Sequence, residues 1–184
     1  MPTLTSPRAL RTRARILDAA LDLFEARGYD ATTVTQVAEA AGVTEMTFFR
    51  HFPTKDAVLV SDPYDPLIAD AVAAQPRELG AFQRVRRGML AALRDITPTE
   101  DATAHRRVAL VAANPRLRAA VVLATAATER AVVDRLVADG VPRLDATVAA
   151  AACLGACTAA LLARTDAATS LADTVTRALE VLDA

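Results

Sequence analysis

The stretch from Thr32 to Lys55, TTVTQVAEAAGVTEMTFFRHFPTK, constrains the fold more than any other part of the chain. Thr33 can cap a first helix, and Gln36 three residues on completes a capping box. Val34, Val37 and Ala38 give that helix an apolar face at helical spacing. Ala41-Gly42-Val43 is the break, where glycine takes a positive φ without penalty. Thr44 caps a second short helix, with Phe48 and Phe52 four residues apart on its inner side. Pro53 closes it, because the residue before a proline avoids the helical region. Thr54 then caps a third helix, expected to begin Lys55-Asp56-Ala57. Two short helices joined by a glycine turn also occur as an ordinary hairpin inside a bundle. They equally make the helix-turn-helix shape, whose second helix enters the major groove of DNA.

The surroundings favour the second reading. Upstream, Ser6-Pro7 is a cap followed by proline at the first helical position. The helix it opens is expected to run to about Arg27, with Gly28 just beyond its end. Ile16, Ala20, Leu23 and Phe24 form its core stripe. From Arg11 to Val60 the chain resembles the DNA-binding domain of the TetR family of bacterial regulators. The resemblance rests on ARILDAALDLFEARGYDATTVTQVAEAAGV followed by TFFRHFPTKDAVL.

That resemblance implies an all-α protein in two parts. Residues 1–60 are the helix-turn-helix DNA-binding domain of three helices. Residues 61–184 are a larger helical bundle for ligand binding and dimerisation. The boundary follows from Ser61-Asp62-Pro63-Tyr64-Asp65-Pro66, which interrupts helical patterning. Further helical patterns run at roughly 66–74, 78–95, 100–113, 115–138, 143–164 and 168–182, broken at Gln75-Pro76, Thr97-Pro98, Asn114-Pro115, Gly140-Val141-Pro142 and Thr165-Asp166. No alternating apolar pattern and no Asn-Gly turn calls for a sheet.

Charge must act by placement rather than amount. The chain's net charge is −1, and residues 1–60 hold seven basic and seven acidic side chains. Arg8, Arg11 and Arg15 share one face of the first helix. They are either a solvated basic face or, beside a reading helix, partners for phosphates. Glu45 and Met46 sit in the first turn of the second short helix, where side chains reach base edges. Thr47 can reach a base or a phosphate, and Arg50 and His51 follow. Lys55 can hold a phosphate beside the next helix. The resemblance adds Thr33, Thr44, Thr47, Phe49, His51 and Lys55 as positions that commonly touch DNA. Phe49 stands where the family usually has tyrosine, so a phenol–phosphate bond is absent. Glu45 could accept from a cytosine amine or simply favour the positive end of its helix.

The second part carries no catalytic constellation, and an enzyme is not expected. Its serines lie in caps and breaks, there is no phosphate-cradling glycine loop, and two distant histidines offer no metal site. No cofactor is implied. Apolar stripes supply bundle core, and the resemblance implies a ligand cavity among them. The expected lining is Phe82, Arg86, Met89, Leu93, Val108, Val111, Leu117 and Val121, for a small apolar or acyl-type ligand. RRVALVAANPRLRAAV, SDPYDPLI and the TFFRHF variant further resemble the mycofactocin-regulator-like branch, which implies acyl-CoA as one candidate ligand.

Hydrophobic residues make up 53% of the chain, enough for a sizeable core. Ala146 to Ala163 is uncharged over eighteen residues, close to the length of a membrane span. Its alanines, threonines and glycine suit a close-packed helix interface better, and no membrane partner is expected. Val132, Ala152, Gly155, Ala156 and Ala159 are the expected homodimer contact. Cys153 and Cys157, on successive turns, suit buried free thiols better than a disulfide or redox switch. With no signal peptide apparent at Met1–Thr5, the cytoplasm is the expected compartment. The expectation is thus a homodimeric regulator on a palindromic operator in double-stranded DNA, released by its ligand. The alternative is a helical protein-interaction module or enzyme whose N-terminal hairpin does not bind DNA.

Overall fold

The computed structural model describes residues 6–61, 65–163 and 169–183. The breaks read at Asp62-Pro63-Tyr64 and Thr165-Asp166, and the terminus at Met1–Thr5, lie outside the described residues. Ten helices are described, with no strand among the described residues: α1 Pro7–Arg27, α2 Val34–Ala40, α3 Glu45–His51, α4 Ala57–Val60, α5 Asp65–Ala73, α6 Ala81–Ala92, α7 Pro98–Ala113, α8 Pro115–Ala138, α9 Arg143–Ala163 and α10 Leu171–Val181.

Local chemistry sets these boundaries. Ser6 Oγ accepts from the Ala9 amide, and Pro7 fills the first position of α1. Thr33 and Gln36 form both halves of the capping box that opens α2. The same device recurs where the sequence suggested only a break: Thr97 and Glu100 box the start of α7, and Pro98 is its first residue. Proline there lacks an amide that the helix would not have used. Asn114, held extended before Pro115, caps α8, and α7 and α8 diverge there by 118°. Thr54 Oγ1 accepts from the Ala57 amide, yet regular helix begins only at Ala57, two residues later than the sequence suggested.

Two apolar clusters follow. The first joins Ile16, Ala20, Leu21 and Phe24 of α1 to Val37, Ala38, Phe48, Phe52, Val58 and Leu59. It does not stop at residue 60, because Val111 of α7 and Leu117 of α8 are buried in the same cluster. The second packs α5, α6, α8, α9 and α10 together around Val72, Val85, Val132, Leu136, Ala150, Cys153 and Leu179. Helix α9 is long and apolar enough to cross a membrane, but its Ala146, Ala149, Ala150, Cys153, Leu154 and Cys157 are buried against the bundle. Burial pushes the two thiols up, Cys153 to about 11 and Cys157 to about 12. Inside this second cluster Arg84 is almost fully buried and pairs with Asp139 at 2.5 Å, which holds that carboxyl below its ordinary range.

Candidate DNA-binding surface and ligand cavity

Helices α2 and α3 are locked into one unit. Gly42 takes φ +61° in the turn between them, and the Arg15 side chain passes within 3.0 Å of where a Cβ would stand. The Arg15 guanidinium donates to the Ala41 carbonyl of that turn. Thr35 on α2 donates to the Glu45 carboxylate on α3 at 2.5 Å. Phe48 and Phe52 are buried, their ring centroids 6.0 Å apart. Arg13, which the sequence did not single out, pins the far end of α3. Its guanidinium donates to the His51 carbonyl at 2.8 Å and lies 4.1 Å from the centre of the Phe52 ring. An arginine at the end of a helix satisfies a carbonyl the helix leaves open and favours its negative pole.

The face that this frame presents is partly apolar. Met46 is 82% exposed and Phe49 47%, three residues apart on α3. Thr33, Thr44, Glu45 and Arg50 are exposed around them, with Thr47 half-buried. Arg8, Arg11 and Arg15 are exposed along α1. An outward apolar pair rimmed by hydroxyls and arginines, on a helix braced at both ends, matches the geometry of a groove reader.

Two expected contacts sit differently. His51 is buried, 8% exposed, and its burial together with Arg50 and Arg13 lowers its pKa. The Lys55 ammonium donates to the carbonyls of Tyr29 and Thr32, both at 2.9 Å, and lies 4.1 Å from the centre of the Tyr29 ring. Lys55 therefore ties the turn after α1 to the start of α4, leaving one N–H of its three for any phosphate.

A cavity of about 170 Å³ lies between the bundle and α4. Of the expected lining, Met89, Leu93, Val108, Val111 and Val121 are present. Phe82 instead packs on the second cluster, Leu117 is fully buried in the first, and Arg86 turns to Asp183 at 3.8 Å. Those misplacements have one cause: helical spacing identifies an inward face, but not which neighbour it meets. The lining also includes Leu59 and Val60 of α4, three threonines (Thr125, Thr128 and Thr158) and Arg107.

Three of the arginines in RRVALVAANPRLRAAV are engaged within the chain. Arg106 forks onto Asp22 and Glu25 of α1, 2.6–2.7 Å away. Arg107 donates to the carbonyls of Leu59 and Ser61. Arg116 stands 3.4 Å from Asp56, whose carboxylate also accepts from the Tyr29 hydroxyl. Of the expected dimer contact, Ala152, Gly155, Ala156 and Ala159 lie on the outer or partly covered side of α9. Val132 does not: it is fully buried in the protomer core, because α8 turns that side inward onto α9. The outward side of these helices carries Val122, Leu123, Leu144 and Val148, all more than half exposed.

A braced helix-turn-helix on an all-helical bundle with an internal cavity is the architecture of helix-turn-helix transcription regulators. The model for bacterial regulatory proteins of the tetR family matches residues 16–61, and the model for the MftR C-terminal domain matches residues 79–184. The chain belongs to the TetR family. It is 37% identical over 99 residues to the transcriptional regulator TcmR of Streptomyces glaucescens, covering 51% of this chain and 44% of that one. It is 30% identical over 101 residues to the repressor Rv1474c of Mycobacterium tuberculosis, covering 55% and 49%. The chain thus spans less than half the length of these relatives. Among solved structures, the fold is shared with Thermus thermophilus FadR in complex with lauroyl-CoA (TM-score 0.51, 23% identity, 92% of each chain) and with NalD of Pseudomonas aeruginosa (TM-score 0.55, 20% identity, 97% and 96%).

Proposed function

We propose that this chain is a cytoplasmic transcriptional repressor that binds a palindromic operator as a homodimer and leaves it when a small apolar or acyl-type ligand fills the cavity. It acts by binding and not by catalysis. The observation that carries this is the placement of the cavity against α4, which follows directly on the reading helix α3. Occupancy of the cavity and the attitude of α3 therefore share one short segment. The same fold houses lauroyl-CoA in the Thermus thermophilus protein. Here about 170 Å³ suits an acyl portion alone, with no room for a whole CoA.

The DNA contacts are proposed at Arg8, Arg11, Thr33, Thr44, Met46, Thr47, Phe49 and Arg50, with Arg15, Glu45, His51 and Lys55 acting mainly by holding that surface in shape. The dimer is proposed to form through the outer faces of α8 and α9, the same patch meeting itself across a two-fold axis. Recovery of bound duplexes from a random DNA pool tests the reading. An inverted repeat should emerge, with half-sites about one helical turn apart or slightly more. Its affinity should fall with salt by a slope of about 0.9 per phosphate contact. A helical interaction module would enrich no sequence and show no such slope.

A further inference from the structure

Arg107 belongs to two structures at once. It is the one charged side chain among the described residues that line the cavity. It also closes the end of α4. Its Nε and Nη2 donate to the Leu59 carbonyl at 3.2 and 3.0 Å, and Nη2 donates to the Ser61 carbonyl at 2.8 Å. A helix of four residues leaves its terminal carbonyls open, so this guanidinium supplies what α4 cannot.

Thr128 is a second, independent observation. It lines the cavity, is 3% exposed, and its Oγ1 has no hydrogen-bond partner. Threonine in a helix usually returns its hydroxyl to a carbonyl one turn back. A buried hydroxyl without any partner is destabilising and calls for an explanation. Thr128 on α8 and Arg107 on α7 line the same cavity. The remaining wall is mostly apolar, with Met89, Leu93, Val111 and Leu161. The volume is close to that of engineered cavities of about 150 Å³ that take a single benzene ring.

We infer that the cavity takes a small carboxylic acid, of one-ring or short-chain size, bearing a hydroxyl or carbonyl substituent. The carboxylate binds the Arg107 guanidinium, and the substituent completes the hydrogen bond that Thr128 lacks. This deepens the ligand-released reading and rests on it. The competition at Arg107 favours the acid. The bonds from Arg107 to the carbonyls carry charge on the donor alone; a carboxylate adds the opposite charge on the acceptor and matches the guanidinium fork with two parallel bonds. Once the guanidinium turns to the ligand, the Leu59 and Ser61 carbonyls lose their donor, and α4 loses its hold on α7. The charge on the ligand, and not its bulk alone, then sets the state of the DNA-binding unit.

The test uses the full chain and four probes: benzoate, benzamide, 4-hydroxybenzoate and hexanoate. Calorimetry without DNA should show benzoate and hexanoate binding at least ten-fold more tightly than benzamide. The hydroxyl of 4-hydroxybenzoate should add roughly five-fold over benzoate, the worth of one net hydrogen bond. Arg107→Gln should erase the preference for acid over amide, and Arg107→Lys, which keeps the charge but not the fork, should restore part of it. Thr128→Val should erase the gain from the hydroxyl while keeping the acid preference. Arg107→Gln without ligand should bind the selected duplex as weakly as the wild type saturated with benzoate, and benzoate should weaken it no further. Equal binding of benzoate and benzamide, no binding of any probe at millimolar concentration, or an Arg107→Gln variant that keeps the acid preference would each overturn the inference. Any of these with a wild-type chain that still selects an inverted repeat overturns the ligand class alone. Failure to select any duplex overturns the regulator reading, whatever calorimetry shows.

Discussion

Gly88→Ala should destabilise the protein although alanine is the better helix former. Gly88 is buried in α6, where α5 crosses it. A Cβ there would stand 2.5 Å from Val72 Cγ2, 2.7 Å from its Cα and 2.7 Å from its amide nitrogen. Side-chain rotation could relieve the first contact but not the other two, which are backbone. Cβ contacts under 3.0 Å essentially never occur and ordinary contact begins at 3.4 Å, so α5 must retreat by a few tenths of an ångström at least. Overpacking of this kind costs about 1–3 kcal/mol, and a clash with backbone belongs at the upper end. Better helix propensity returns about 1 kcal/mol. The expected loss is therefore about 2 kcal/mol, read as a lower urea midpoint at fixed protomer concentration, since a dimer's stability depends on concentration. A second reading comes from the cavity: Met89 and Ile68 line it from these same two helices, so ligand affinity should change as well. A variant stabilised by about 1 kcal/mol, as propensity alone requires, would refute the claim that this crossing is closed to one methyl group.

Arg11→Ala should weaken binding alike on all duplexes and flatten the salt slope by about 0.9, whereas Met46→Ala should change which sequences are recovered; binding selections at two salt concentrations separate the two. His51 is held neutral by burial and by Arg50 and Arg13, so its folded pKa lies below the ordinary 6.5. Between the two pKa values the unfolded chain binds more protons. Stability should then be full above about pH 6.5 and decline as pH falls below it, and His51→Gln should flatten that part of a thermal unfolding profile against pH. Ala159→Glu should give monomers that no longer hold the inverted repeat, because the proposed two-fold axis would place the new carboxylates in one contact; Ala159 is exposed in the protomer, whereas Ala156 packs partly on its core, so sedimentation of the Ala159 variant is the cleaner measurement.

Local chemistry was legible in the sequence wherever a residue acts on its own neighbours. The capping box at Thr33, the turn at Gly42, the buried pair Phe48 and Phe52, and the proline starts at Pro7 and Pro115 all depend on contacts within a few residues. Residue roles that depend on a distant partner were not legible. Arg106 and Arg107 are adjacent and chemically identical, yet one serves carboxylates on α1 and the other carbonyls on α4. Only the approach of those helices distinguishes them. Arg13 differs from Arg11 and Arg15 by a fraction of a turn, and this suffices to aim it at the end of α3. Val132 reads as one more valine on an apolar helix. Whether that side of α8 meets its own chain or a second one depends on the angle at which α9 crosses.

The boundary at residue 60 shows where the two kinds of information part. In the sequence it is sharp, because helical patterning stops at Ser61. In the packing it is absent, because Leu59, Val111 and Leu117 share one cluster. Three arginines then cross it: Arg106 to α1, Arg107 to the end of α4 and Arg116 to Asp56 just before α4. The Arg106 and Arg116 pairs are largely solvent-facing, and such pairs are each worth little. Arg107 is different, since it donates to carbonyls at the C-terminal end of a four-residue helix, which leaves its last carbonyls open. A chain divided by sequence into a reader and a sensor is thus joined by packing into one body, and the joint that also faces the cavity is the set of hydrogen bonds from Arg107 to α4. On the proposed reading, an acid in the cavity takes the guanidinium from those carbonyls. The coupling this permits is typically about 1–3 kcal/mol, and it must be reciprocal. Operator DNA should weaken binding of the ligand by the same factor by which the ligand weakens binding of the operator. Calorimetry that found one ligand affinity with and without duplex would show that the shared core transmits nothing.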